Sequence, residues 1–206
     1  MKSRIPALIL TLAVLSPGAV TAQLSKPGEP KTAPGKEAGG EKEKSARSAQ
    51  DLERIRTRNK RKAEEAWAED KKKRSAKDYA QMESEYQEIN KNFKAANVKD
   101  LLEAFIKKWK DGNRVGCATM YLAQKSGGAE REKLLETCIK KFSDAYYLDG
   151  CSVGGLARLF QASSYQQSGK AAEAKKLIAE IEKSYDDAQD HSGNIIGDQA
   201  AALKKK

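Results

Sequence analysis

Hydrophobic residues recur at helical spacing through the second half of the chain, and this pattern predicts an all-α protein. The clearest case runs from Val98 to Trp109, where apolar side chains return every three or four residues. A second seam of the same period runs from Tyr79 to Phe93. This spacing gives a helix one apolar face, which packs against a neighbouring helix or against a second chain. The short turn at Asp111–Asn113 predicts that the next helix lies antiparallel to its predecessor.

The segment before these helices has charge instead of an apolar face. Gly and Pro are absent from Gln50 to Ala96, which predicts one long helix whose first part, residues 50–78, is highly charged. Its cations surround the helix as a collar: Arg54, Arg56, Arg58, Lys60, Arg61, Lys62, Lys71, Lys72, Lys73 and Arg74. Acidic residues lie between them at pairing distance. The segment is either a solvated, self-paired helix or an arm that binds anions.

An internal repeat organises the remainder of the chain. Residues 133–150 recur 43 positions later, at 176–193, with matching apolar, aspartate and glycine positions. Upstream, Val115-Gly116 resembles Val153-Gly154. We predict two copies of a helix, Ser-Gly turn, helix unit at about 114–150 and 152–193, followed by a closing helix at 194–203. The predicted helices are 114–125 and 130–142 in copy one, and 152–168 and 171–185 in copy two.

The second copy resembles a tetratricopeptide repeat (TPR). The resemblance rests on Ala162, Tyr165, Gly169, Glu173-Ala174, Ile178 and Ile181. Arg158 and Gln161 depart from the motif's early Trp and Leu, and the 43-residue period exceeds the usual value of about 34. The resemblance implies stacked antiparallel hairpins over residues 79–206 and a groove that binds a protein or peptide. The leading helices supply the candidate groove residues: Arg114, Thr119, Tyr121, Arg158, Gln161 and Tyr165.

The amino terminus reads as an export signal. Lys2 and Arg4 precede an apolar run of a length typical of secretory signals, and small residues lead to Ala22. Residues 1–22 are therefore a predicted signal peptide, which places the protein in the periplasm or outside the cell. Residues 23–49 are rich in Pro, Gly and charge and are a predicted disordered linker.

The three cysteines leave two main alternatives open. Cys117 and Cys138 lie symmetrically about the Gly127-Gly128 turn, so an antiparallel hairpin places them opposite each other. An exported protein retains disulfides, which favours a Cys117–Cys138 bond. The alternative is packed core thiols, and a bridge from Cys151 is a third arrangement. A redox role lacks a CxxC motif.

Composition narrows the function class. With one histidine, the chain lacks a multi-histidine metal site, and no nucleotide-binding or hydrolase motif is present. We expect no cofactor. The leading hypothesis is a non-enzymatic interaction module with a protein or peptide partner. The net charge of +10 supports an alternative, binding of anionic envelope polymers or lipid headgroups, whereas the predicted export argues against nucleic acid as the partner. An enzyme built on His191 and the aspartates at 186, 187 and 190, or on Cys117, is a minor alternative.

Overall fold

A computed structural model of the chain describes residues 47–205. The predicted signal peptide, and the predicted linker up to residue 46, lie outside the described residues and stay predictions. Between 47 and 205 the secondary structure is helical with no β-strand, which confirms the all-α prediction. The helices are α1 (Ala49–Lys72), α2 (Ala76–Lys91), α3 (Val98–Trp109), α4 (Asn113–Lys125), α5 (Gly128–Lys141), α6 (Val153–Gln167), α7 (Ala171–Ser184) and α8 (Ile196–Lys204).

The charged amino-terminal region is two helices instead of one. Ser75 separates α1 from α2, with extended backbone, and its hydroxyl accepts the backbone N–H of Asp78 at 3.1 Å. Ser48 caps α1 in the same way through Asp51. A serine hydroxyl satisfies a donor that the first turn of a helix leaves unpaired. The prediction of an unbroken helix over 50–96 is therefore wrong at this point.

The helices pack against their neighbours in the chain, and α6 also contacts α4 and α8, the helices two places before and after it. Their shared core includes fully buried side chains such as Met82, Leu102, Met120 and Ile178. The seam predicted over Tyr79–Phe93 contributes to this core within one chain, since its central residues are buried there. Burial of these apolar faces supplies the main driving force for folding.

Two loops separate the helices of successive copies. Loop one (142–152) joins α5 to α6, and loop two (185–195) joins α7 to α8, so the loops are offset by the same 43 residues as the sequence repeat. The four helices predicted for the two copies begin and end within two residues of the observed bounds.

The same hydrogen bond closes each loop onto its following helix. In loop one, the backbone N–H of Val153 donates to the carbonyl of Ala145 at 3.0 Å. In loop two, the N–H of Ile196 donates to the carbonyl of Ala188 at 2.8 Å. These residues are 43 positions apart, so the repeat seen in sequence is also a repeat of backbone structure.

The predicted match of Val115-Gly116 with Val153-Gly154 is displaced by one residue. A Cβ on Gly116 would lie 2.8 Å from that of Ala145, whereas a Cβ on Gly155 would lie 3.2 Å from that of Ala188. Gly116 is therefore the counterpart of Gly155, and the predicted match to Gly154 is wrong. Both glycines let a helix approach the loop that follows it within the copy.

Candidate binding cleft between the first helix and the repeat loops

Helix α1 lies across both repeat loops. The side-chain amide of Asn59 donates to the carbonyl of Asp187 in loop two at 2.8 Å. The indole N–H of Trp67 donates to the carbonyl of Tyr146 in loop one at 3.1 Å. Asn59 is buried together with Ile55, one turn earlier. The helix is thus docked on the domain by one face.

The ten cations of the predicted anion-binding arm mostly stay at the surface of α1. Nine are exposed, and Arg74 is half-buried. Four form ion pairs: Arg58 with Asp187, Arg61 with Glu65, Lys72 with Glu69, and Arg74 with Asp111. The other six have no ion pair with another described residue: Arg54, Arg56, Lys60, Lys62, Lys71 and Lys73. The region is partly self-paired and partly open to anions.

A cleft of about 670 Å³ opens where α1 meets the two loops. We call it the His191 cleft. Its volume falls in the range of sites that bind small molecules. Its wall on α1 comprises Glu53, Arg56, Thr57, Lys60, Arg61 and Glu64, and its wall on the loops comprises Asp149, Gln189, His191, Ser192 and Gly193.

A histidine–aspartate pair joins the two loops at this cleft. His191 Nδ1 lies 2.8 Å from Asp149 Oδ2, and the backbone N–H of Cys151 donates to the other carboxylate oxygen at 2.9 Å. Burial on its own raises the pKa of Asp149, but these hydrogen bonds outweigh it and lower that pKa. The carboxylate therefore stays ionised and orients the imidazole, whose Nε2 is its remaining polar atom.

The rings of two tyrosines pack against the imidazole ring of His191. Its ring centroid lies 4.4 Å from that of Tyr147 and 6.3 Å from that of Tyr121. Tyr147 is buried, and its hydroxyl donates to the carbonyl of Cys117 at 3.0 Å. Burial raises the pKa of Tyr121 to about 12. Next to this cluster in the sequence, Leu148 is 50% exposed.

The aspartates near His191 hold the structure together. Asp186 and Asp187 pair with Arg47, at 2.9 and 2.5 Å. Asp190 Oδ1 accepts the backbone N–H groups of Ser192 and Asn194, a common role of aspartate in turns. Within residues 47–205, no group of three or more His, Cys, Asp or Glu side chains is placed to hold a metal ion.

Arg114 does not line a groove, contrary to the sequence prediction. It is buried, with its guanidinium carbon 3.1 Å from the centroid of the Trp67 ring and 4.3 Å from that of Tyr86. It pairs with Glu83 through two nitrogens, and its backbone N–H donates to Asp70 at 3.0 Å. The residue ties α4 to α1 and α2, which leaves it no surface for a partner.

Thr119 and Gln161 are buried as well. The hydroxyl of Thr119 donates to the carbonyl of Val115 at 2.7 Å, inside its own helix. The amide of Gln161 donates to the hydroxyl of Tyr165 at 2.9 Å. Both predictions of a partner-facing role are wrong, because the faces of α4 and α6 that carry these residues are packed against other helices.

The other three predicted groove residues remain partly accessible. Tyr121 and Tyr165 are half-buried. Arg158 is also half-buried, and its guanidinium pairs with Glu180 at 3.0 Å and lies 4.6 Å from the centroid of the Tyr185 ring. The structure therefore does not bring the six residues together on one exposed surface.

All three cysteines are free and buried. The structure contains no Cys117–Cys138 bond, in contrast to the predicted disulfide, and agrees with the alternative of packed thiols. Burial raises the pKa of the Cys138 thiol to about 12, and it raises those of Cys117 and Cys151 further. Because the thiolate is the reactive form of cysteine, burial works against a nucleophilic role for Cys117.

The His191 cleft was not anticipated from the sequence. Its parts lie far apart along the chain, since Lys60, Asp149 and His191 belong to three segments. The one available signal was Trp67, a large apolar residue in a charged stretch, which indicates that this helix has a docked side.

No protein-family model, curated protein or solved structure matches the chain. None of the helices between residues 47 and 205 combines the length and the apolar character that a membrane crossing requires.

Proposed function

We propose that the chain is an exported, non-enzymatic interaction module made of TPR-like helical hairpins, which binds a protein or peptide partner. The observation that carries this proposal is the backbone repeat. Equivalent hydrogen bonds recur at a 43-residue offset, and α6 contacts both α4 and α8, as the first helices of successive stacked hairpins would. Repeat stacks of this kind commonly present extended binding surfaces.

The side of the domain formed by the repeat loops is the best-supported binding surface. It combines the exposed Leu148 with the half-buried Tyr121 and the exposed His191. Aromatic side chains at the surface are typical of interaction sites. The predicted groove on the leading helices loses support, because three of its six residues are buried.

In vivo photo-crosslinking tests the proposal. A photoreactive amino acid replaces Leu148 in the full-length chain, and a matched variant carries it at Glu103, an exposed position on α3. We expect a discrete adduct from position 148 in the exported fraction and none from position 103. Adducts that are identical from both positions, or absent from both, would contradict the proposal.

A second function, binding of anionic polymers or headgroups, is favoured by the six exposed cations of α1 and its carboxyl-terminal cap that have no ion pair with a described residue. Release of counterions from six phosphates gives a log–log salt slope of about −5 on duplex DNA, which serves here only as a polyanion probe. Removing Arg54 and Lys62 (R54Q/K62Q) should reduce the slope by about 2. A slope near zero for the parent chain would exclude this function.

A further inference from the structure

Helix α1 is attached to the domain differently from the other helices. Each helix from α2 to α8 contributes buried side chains to the shared hydrophobic core. Within the described part of the chain, Ile55, Ala63 and the half-buried Trp67 of α1 belong neither to that core nor to the apolar residues packed against it. Segments with few buried apolar contacts are the ones that open most readily in a folded protein. By this criterion, α1 is the helix that separates first.

Polar groups supply much of the contact between α1 and the domain. Asn59 and Asp70 lie on the buried face of the helix, beside Ile55 and Ala63. The side-chain amide of Asn59 donates to a backbone carbonyl of loop two, and a carboxylate oxygen of Asp70 accepts the backbone N–H of Arg114 at 3.0 Å. Water can replace such hydrogen bonds when the helix leaves, so their net contribution to docking is modest.

Three aspartates hold the chain just before α1. Arg47 pairs with Asp186 and Asp187 of loop two at 2.9 and 2.5 Å, and with Asp198 of α8 at 3.3 Å. Its side chain is mostly buried among these carboxylates, which are themselves partly exposed. Hydrogen bonds between charged groups are stronger than those between neutral groups. Arg47 therefore fixes the amino-terminal end of α1 to loop two and α8.

The remainder of the domain keeps its own partners without α1. The guanidinium of Arg114 would lose the ring of Trp67 but would retain its ion pair with Glu83 and its contact with the ring of Tyr86, both on α2. Helix α2 has a cap of its own, Ser75, which lies outside α1. Release of α1 thus leaves neither the buried charge of Arg114 unpaired nor the start of α2 uncapped.

We propose that residues 47–72 form a releasable strap, which we call the α1 strap. It leaves the domain as one unit while α2 to α8 stay folded, and it turns at the junction between α1 and α2, residues 73–75. Its release uncovers the carbonyl groups of Tyr146 and Asp187, which Trp67 and Asn59 now cover, and so enlarges the surface that the two loops present. This conformational change goes beyond the proposed interaction function and does not depend on it.

Native-state hydrogen exchange of the full mature chain, at a series of low urea concentrations, tests this proposal. The backbone amide of Arg114 is the sharpest probe. It lies in the first turn of α4, where a helix offers its N–H groups no acceptor, and its partner is Asp70 of α1. We expect this amide and those in the middle of α1 to share one opening equilibrium. Their opening constant should exceed that of the Val153 amide by at least about 100-fold.

Two arginine variants show whether the Arg47 contacts control the release. Arg47→Gln should increase the opening constant of the α1 and Arg114 amides about tenfold and leave that of Val153 unchanged, since it removes three charged contacts with loop two and α8. The matched control, Arg61→Gln, removes an ion pair with Glu65 that lies within α1. It should change the opening constant by less than about twofold.

Three results would overturn the proposal. The first is exchange of the α1 and Arg114 amides only through the opening that also exposes Val153. The second is opening of the α1 amides without that of Arg114, which would show a helix that frays while it stays docked. The third is an equal effect of Arg47→Gln and Arg61→Gln. Circular dichroism and a thermal melt establish that both variants fold, and the measurement on the parent chain tests the release without either variant.

Discussion

Loop one (142–152) and loop two (185–195) follow one backbone path, yet different side chains attach them to the rest of the protein. The N–H of Tyr147 donates to the carbonyl of Cys151 at 3.0 Å, and 43 residues later the N–H of Asp190 donates to that of Asn194 at 3.0 Å. Hydrogen bonds between backbone groups thus define the loop, while its side chains differ between the copies.

Loop one is held by α4 inside the domain, in addition to its contact with Trp67 of α1. The amide of Asn113 donates to the carbonyl of Tyr146 at 2.8 Å and accepts from its N–H, while the hydroxyl of Tyr147 reaches a buried carbonyl of α4. Loop two is held from outside, by Arg47 and Arg58, which pair with Asp187.

The variants with the largest expected effects test whether the two loops contact the following helix in the same way. Gly154→Ala and Gly197→Ala each force a Cβ against the backbone of the preceding loop, 2.7 Å from the Cα of Ser143 and 2.9 Å from that of Asp186. Each variant should lose about 3 kcal/mol of the free energy of unfolding, at the upper end for overpacking. Urea unfolding measures both. A cost confined to one of them would show that the loops are not structural equivalents.

The next two variants compare how closely each loop contacts α1. Gly150 and Gly193 both have positive φ, at 88° and 78°. A Cβ on Gly150 would lie 3.0 Å from the backbone nitrogen of Lys60, whereas one on Gly193 would meet only the flexible side chain of Arg56. Gly150→Ala should cost about 2–3 kcal/mol and Gly193→Ala about 1 kcal/mol. The reverse order would contradict the docking of α1.

Removal of single hydroxyl groups should have a smaller effect. Tyr147→Phe removes a fully buried hydrogen bond to the carbonyl of Cys117 and should cost about 1–1.5 kcal/mol. Tyr185→Phe gives loop two the residue type that loop one has at Phe142, and its longer 3.3 Å bond to Ser143 is half-buried. Its cost should stay below about 0.5 kcal/mol. Chemical denaturation compares the two variants. Equal losses in the free energy of unfolding would contradict the assignment of the Tyr147 hydroxyl as the group that fixes loop one in the core.

The smallest effect is a difference in acid sensitivity. Burial alone raises the pKa of Asp187 and Asp190, but hydrogen bonds from Arg58 and Arg47 to the first, and from Asn194 to the second, outweigh it and lower both values. Their stabilisation is therefore present above the unfolded-state pKa of about 3.9 and is lost as the pH falls through the folded-state values.

Loop two holds two such aspartates and loop one holds Asp149 alone. Below about pH 4, the protection of amides against exchange, relative to the unfolded-chain rate at the same pH, should therefore fall more in loop two than in loop one. Amide exchange followed by NMR between neutral and acidic pH measures this difference. Asp187→Asn should reduce it, and a larger acid-induced loss of protection in loop one would contradict the assignment.

The repeat was predictable from sequence because its determinants are local. Glycines at 150 and 193, together with the apolar positions before them, mark the same loop twice, and Ser-Gly turns mark the helix ends. The helix break before α2 also had a local signal, because Ser75 is followed three residues later by Asp78. The prediction of one unbroken helix gave more weight to the absence of Gly and Pro than to this signal.

The buried groove residues and the cleft were not predictable in this way. An arginine on a helix usually indicates exposure, and Arg114 is buried only because Trp67, Glu83 and Tyr86, from two other helices, surround it. Likewise, the contact between His191 and Asp149 joins residues 42 positions apart. Such contacts depend on how helices pack, which residue spacing alone does not specify.

Native-state hydrogen exchange at the closing bonds of the loops tests the central claim most directly. The amides of Val153 and Ile196 donate to carbonyls at equivalent positions, Ala145 and Ala188. If one structural unit is built twice, the free energies of opening at these two amides should agree within about 1 kcal/mol. Strong protection at Val153 with exchange at the unfolded rate at Ile196, or the reverse, would contradict the account.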